Sequence, residues 1–126
     1  MKIAVDFDGT IVYDSFPAMG NPVPGAFETL RELEDLGHQL ILNTVRSGQY
    51  LDEAVDFCGE NGVEFWGINK NPEQKDYSMS PKVHAKWYID DKAIGCPLLR
   101  SYPEADPYVD WDAVRQLLRD RGVPLI

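Results

Sequence analysis

Apolar and polar positions alternate along this chain in two rhythms, one of buried strands and one of amphipathic helices. Ile3, Ala4 and Val5 form an apolar run that two acids, Asp6 and Asp8, and then Gly9 cut off. Such a run predicts a buried strand over Lys2–Phe7, bent sharply where glycine permits it. Residues 11–24 (Tyr13, Phe16, Pro17, Gly20, Asn21, Pro22 and Pro24 among them) predict an extended loop or small hairpin. Phe27, Leu30, Leu33 and Leu36 then recur at helical spacing, so a helix is expected over Gly25–Leu36, closed by Gly37. His38–Asn43 reads as a second buried strand ending at Thr44. Ser47 is placed to cap a helix running to about Glu60, with Leu51, Ala54, Val55 and Cys58 inward. Val63–Ile68 and Trp87–Ile89 predict a third and a fourth strand, separated by an irregular stretch. Asp110 can cap a last helix carrying Trp111, Val114, Leu117 and Leu118, and Val123–Ile126 reads as a short edge strand.

This order of strand, helix, strand, helix, strand, strand, helix predicts an α/β fold with a mainly parallel sheet. Right-handed crossovers in such a sheet gather the carboxyl ends of the strands on one edge, where ligands bind. Asp6 with Asp8, then Thr44, then Asp90 with Asp91, all close strands and are therefore expected on that edge. Lys82 lies just upstream of the fourth strand. Two adjacent acids at a strand end repel each other unless a cation intervenes, and hard oxygen ligands favour Mg²⁺.

Composition narrows the partners. The chain has 126 residues, 44% hydrophobic and 26% charged, which suits one globular domain spanning 1–126. With 12 basic residues against 21 acidic ones the formal charge is -9, which argues against nucleic-acid or anionic-membrane binding. No apolar run approaches membrane-spanning length and no signal peptide is evident, so a cytoplasmic location is the default expectation. Cys58 and Cys96 match no metal or redox spacing; Cys58 is expected to pack in the core.

Taken together, Asp6-Phe7-Asp8-Gly9-Thr10, Thr44 closing Leu40-Ile41-Leu42-Asn43, Lys82 in Ser80-Pro81-Lys82, and Ile89-Asp90-Asp91 resemble the four motifs of the haloacid dehalogenase superfamily of phosphotransferases. The resemblance runs from about residue 2 to 95 and is closest to small, capless, phosphatase-like members. It implies a three-layer Rossmann-like fold and a phosphatase acting through an aspartyl-phosphate. By the same resemblance Asp6 would be the nucleophile and Asp8 the general acid and base. Mg²⁺ would be held by Asp6, by the Asp8 main-chain carbonyl and by Asp90. Thr44 and Lys82 would bind the phosphoryl group, with Lys86 a rival for the lysine. Asp91 would make a water-mediated metal contact or orient Lys82. Arg46, two residues after Thr44, reads as a surface salt bridge, with contact to substrate as the alternative.

Neither the span from Asp8 to Thr44 nor that from Thr44 to Lys82 has room for a cap domain. The site is therefore expected to be open, its mouth lined by aromatics such as Phe16, Trp66 and Tyr77. Either a large substrate or a neighbouring subunit of a homo-oligomer would complete it. The acidic balance points to a small phosphorylated substrate such as a sugar phosphate. Two rivals stand beside a phosphatase: a signalling receiver domain, whose acids and Thr come in a different order, and a catalytically silent binding module of the same fold.

Overall fold

The computed structural model describes all of residues 1–126. Four strands, β1 (Lys2–Val5), β2 (Gln39–Leu42), β3 (Gly67–Ile68) and β4 (Trp87–Ile89), form a parallel sheet in the order β3-β2-β1-β4. Helices α1 (Ala26–Asp35) and α2 (Gly48–Glu60) connect β1 to β2 and β2 to β3. A two-stranded antiparallel ribbon, β5 (Leu98–Leu99) with β6 (Tyr108–Val109), precedes α3 (Trp111–Asp120). This is a small Rossmann-like α/β domain with the expected mainly parallel sheet.

Side chains two apart on a strand share a face, and the sheet divides accordingly. Ile3, Val5, Leu40, Leu42 and Ile89 join one apolar core with Phe27, Leu30 and Leu33 of α1, Ala54 and Cys58 of α2, and Trp111, Val114 and Leu118 of α3. Burial pushes the Cys58 thiol up to about 12, so it serves as a small apolar side chain. The other face, with Ala4, Ile41, Gly67 and Tyr88, meets the β3–β4 crossover instead of a long helix. A Cβ on Gly67 would lie 2.3 Å from the Lys70 carbonyl and 2.9 Å from Pro72, so the crossover descends directly onto the strand there. Inside it, a single 3₁₀ turn (Gln74–Asp76) is the only helical element.

The boundaries differ from the expected ones where a neighbour is missing. β1 pairs only to Val5, since Gly9 turns the chain at a φ of 81°. β3 is two residues long rather than six, because only Gly67 and Ile68 find partners, on Ile41 and Leu42. Leu36 and Leu117 fall outside the buried faces of their helices. Ser47 makes no side-chain cap, whereas the Asp110 carboxylate accepts from the Ala113 N–H at 3.2 Å as expected. Residues 123–126 form no strand. Val123 and Leu125 plug into the core, while Arg115 bridges Glu32 at 2.7 Å and the Ile126 main-chain oxygen at 2.6 Å. Residues 11–23 form the small hairpin, tied by Tyr13 N–H to Asn21 and Val23 N–H to Ile11.

Candidate functional site

The carboxyl edge of β1 and β4 carries a cleft of about 260 Å³. Asp6, Asp8, Asp90, Asp91 and Lys92 line it, and Asp14, Phe16 and Val45 form its rim. Three acids converge: carboxylate oxygens of Asp6, Asp90 and Asp91 all lie within 4.8 Å of one another. Each is held. Asp90 Oδ1 accepts the Lys92 N–H at 2.8 Å, which fixes its carboxylate at the strand end. The fully buried Thr10 hydroxyl lies 3.1 Å from Asp6 Oδ2 and 3.4 Å from Asp91 Oδ1, and accepts the Asp91 N–H at 3.2 Å. The Thr10 carbonyl in turn accepts the Trp111 indole N–H at 2.8 Å, so α3 locks the motif from below.

Burial, together with Asp91 and Asp90, pushes the Asp6 carboxyl up to about 8. Desolvation and like charge penalise the carboxylate form together, and a cation among the three acids would reverse both. The only cation at hand is the Lys92 ammonium, 3.6 Å from Asp91, on a side chain that is 76% exposed. So exposed an ion pair is screened by water and leaves the cluster short of positive charge. Three oxygen donors of this kind fit a hard divalent ion such as Mg²⁺.

Gly9 makes the cluster possible. A Cβ at this position would stand 2.3 Å from Asp91 Oδ2 at a backbone φ of 81°. Gly9→Ala is therefore expected to destabilise the fold by about 2 kcal/mol or more, from left-handed strain plus displacement of a buried carboxylate. Denaturant melts measure this; an unchanged midpoint would show that Asp91 can move freely.

Asp8 does not join the acid cluster through its side chain. Its two oxygens accept from Arg46, Oδ2 from Nε at 2.9 Å and Oδ1 from Nη2 at 2.7 Å. Arg46 is not on the surface, as its sequence context suggested, but 1% exposed. Its remaining donors reach the carbonyls of Pro17 (3.1 Å), Ala18 (2.8 Å) and Tyr50 (3.4 Å), and its guanidinium carbon lies 5.0 Å from the Phe7 ring centroid and 5.4 Å from that of Phe16. The Asp8 hydrogen bond and charge raise the Arg46 pKa further above its usual value. One residue thus fastens Asp8, the 11–23 hairpin and the start of α2 together. The Asp8 carbonyl, the atom expected to face a metal, accepts no hydrogen bond within the chain.

Thr44 closes β2 on the same edge, beside the acidic cleft but not among the residues that line it. Its N–H donates to Asn69 Oδ1 at 2.8 Å and its hydroxyl oxygen accepts the Arg46 N–H at 3.1 Å, leaving the O–H free to donate. Lys82 is not brought to the acids. It is exposed on the crossover, its ammonium 5.7 Å from the Tyr88 ring centroid, and it does not line the acidic cleft. Lys86 pairs through its N–H with the Lys2 carbonyl, at the opposite end of β1. Of the three aromatics expected at the mouth, Phe16 is there. Trp66 lies under Lys2 at the amino end of the sheet, and Tyr77 bonds His84 on the crossover at 2.7 Å. Thr10, Arg46 and Lys92 are the site residues that local pattern passed over. Thr10 stood inside the first motif, and Lys92 directly after the acidic pair.

No family model and no curated protein matches the chain. It is similar to a solved structure described as that of the conserved protein coded by a locus from Bacteroides thetaiotaomicron. The two are 39% identical with a TM-score of 0.79, and the match covers 98% of this chain and 93% of that one. No helix of this chain is long and apolar enough to cross a membrane.

Proposed function

For this chain, which belongs to the same family as the Bacteroides thetaiotaomicron conserved protein, we propose a magnesium-dependent phosphoric monoester hydrolase of the haloacid dehalogenase type. The observation that carries the reading is the convergence of Asp6, Asp90 and Asp91 at one strand edge, with a second, separately held carboxylate on Asp8. Phosphoryl transfer needs an in-line nucleophile, neutralisation of the equatorial oxygens and a proton for the leaving group. Two carboxylates with different partners divide those tasks.

Asp6 attacks phosphorus, the bond to the ester oxygen breaks, and the departing alkoxide takes a proton from Asp8. Water then attacks the aspartyl-phosphate, giving its proton to Asp8; the bond from phosphorus to the Asp6 oxygen breaks and inorganic phosphate leaves. Arg46 occupies one lone pair on each Asp8 oxygen, so a further lone pair on each stays available to carry that proton. Thr44 donates its free O–H to a phosphoryl oxygen. Mg²⁺ would be held by Asp6, Asp90 and the Asp8 carbonyl, with Asp91 beside them, and would supply the positive charge that phosphate and carboxylates together require.

Hydrolysis of p-nitrophenyl phosphate, followed with and without Mg²⁺ over a pH range of about 5 to 9, tests the reading. Metal-dependent turnover is expected. Absence of turnover at every pH would sink it, and stable phosphate uptake from acetyl phosphate would then favour a receiver-like module.

A further inference from the structure

We infer that the cleft within the β3–β4 crossover, which opens at Asn69 just past the carboxyl end of β3 and is framed by Lys70, Lys75, Ser78 and Ser80, is a second subsite that binds an anionic group on the leaving group of the phosphate ester. The inference rests on the proposed hydrolase reading and names its substrate class: a small phosphate ester carrying a second acidic group, carboxylate or phosphate, at its far end. The cleft holds about 400 Å³, more than the acidic cleft itself, which suits a sugar-sized fragment.

Its lining offers donors. Neither Lys70 nor Lys75 takes part in any ion pair of the chain. Ser78 Oγ accepts the Ser80 N–H at 3.1 Å and Ser80 Oγ accepts the Lys82 N–H at 3.2 Å, so both hydroxyls keep their O–H to give. No carboxylate lines the cleft, in a chain with 21 acids against 12 bases. The neighbouring Glu73 turns to Lys2 instead, at 3.9 Å. Two unpaired ammonium groups with hydroxyl donors and no competing acid suit an anion, and in so negative a protein they supply the local field that would draw one in.

The frame is built rather than loose. Buried Gln74 donates to the Lys82 carbonyl at 2.7 Å and accepts the His84 N–H at 2.9 Å. Buried Asn71 donates to the His84 carbonyl at 2.9 Å and accepts the Glu73 N–H at 3.0 Å. Preorganisation of this kind lowers the cost of holding a ligand. The cleft is also joined to the reaction centre. Thr44, read as a phosphoryl ligand, hydrogen-bonds Asn69 in its wall. β1 and β3 flank β2, so two strand spacings, about 10 Å, separate the two strand ends. An ester that spans this distance from a phosphoryl group at Asp6 and Thr44 would reach the cleft at Asn69 and Lys70.

The test compares kcat/KM for glucose phosphate, phosphogluconate and fructose bisphosphate with Mg²⁺ present, in the wild-type chain and in Lys70→Ala/Lys75→Ala. A preference of about tenfold or more for a charged far end is expected, collapsing toward parity in the double variant. Preference for phosphogluconate identifies a carboxylate, and preference for fructose bisphosphate a phosphate. Absence of any preference, or its survival in the double variant, overturns the inference while leaving the hydrolase reading intact. Should no ester be hydrolysed, the hydrolase reading fails by itself. Calorimetric titration with phosphogluconate then decides the subsite: binding lost in the double variant upholds an anion site, and binding that is absent or unaltered overturns it.

Discussion

Asp6→Asn is expected to abolish ester hydrolysis, a loss on the order of ten-thousand-fold or more, because the amide is no nucleophile toward phosphorus. The same substitution has a second, independent signature in stability. Without metal, burial and the two neighbouring acids hold the Asp6 carboxyl up to about 8, against an ordinary value of 3.8. A carboxyl raised in the folded state binds its proton more tightly there than in the unfolded chain. Its contribution to stability is full below the ordinary value and is lost as the pH rises through about 8. In a chelating buffer the melting temperature of the wild-type chain should therefore fall across that window by several degrees more than that of Asp6→Asn. Mg²⁺ favours the ionised cluster, so it should raise the wild-type melting temperature most at the alkaline end and raise that of the variant less. Retained turnover would remove Asp6 as nucleophile. Parallel pH slopes for the two proteins would mean that Asp6 is ionised in the folded chain at all these pH values.

The sheet was legible in the sequence because each of its buried strands is an apolar run closed by a polar residue. Ile3–Val5 and Leu40–Leu42 could be placed to within a residue or two, and Asp6, Thr44, Asp90 and Asp91 fall on one edge as topology requires. Less legible was whatever depends on a distant partner. Asp6 and Asp8 were expected together at the end of one strand, yet β1 stops at Val5 and Gly9 turns the chain, so the two side chains acquire different neighbours. Arg46 looked like an exposed cation because hydropathy treats every arginine so. Its burial comes from Asp8, 38 residues away in sequence, and from three carbonyls that no local pattern links to it. The β5–β6 ribbon escaped for a similar reason: no two-residue turn joins Leu98–Leu99 to Tyr108–Val109, only a longer loop containing Pro103 and Pro107. Lys82 was expected at the phosphoryl group, but the crossover that carries it is shaped by Asn71 and Gln74, and Lys70 and Lys75 are the lysines that line the cleft there.

The second large effect is expected at Arg46. Its side chain is fully buried and that of Asp8 is 12% exposed, so their ion pair lies almost wholly out of water. Removing one partner of a buried pair leaves the other charge uncompensated, typically at about 3–5 kcal/mol, whereas removing both is far less costly. Arg46→Met should therefore destabilise the chain by roughly that amount, while Arg46→Met combined with Asp8→Asn should recover a measurable part of the loss. The recovery is bounded, because the carbonyls of Pro17, Ala18 and Tyr50 still lose their donor in the double variant. Arg46→Lys separates charge from shape. Lysine restores a positive charge but cannot span both Asp8 oxygens and the hairpin carbonyls together. It should hold most of the stability and still lower kcat more than it raises KM, since an Asp8 carboxyl group left free to rotate delivers its proton less often. Denaturant melts of the four-member cycle, Asp8→Asn included, measure the coupling energy between the two residues. A coupling near zero would mean that the carbonyl contacts, not Asp8, are what keep Arg46 buried. The hairpin would then be the reason for the arginine, and the orientation of Asp8 a consequence of it.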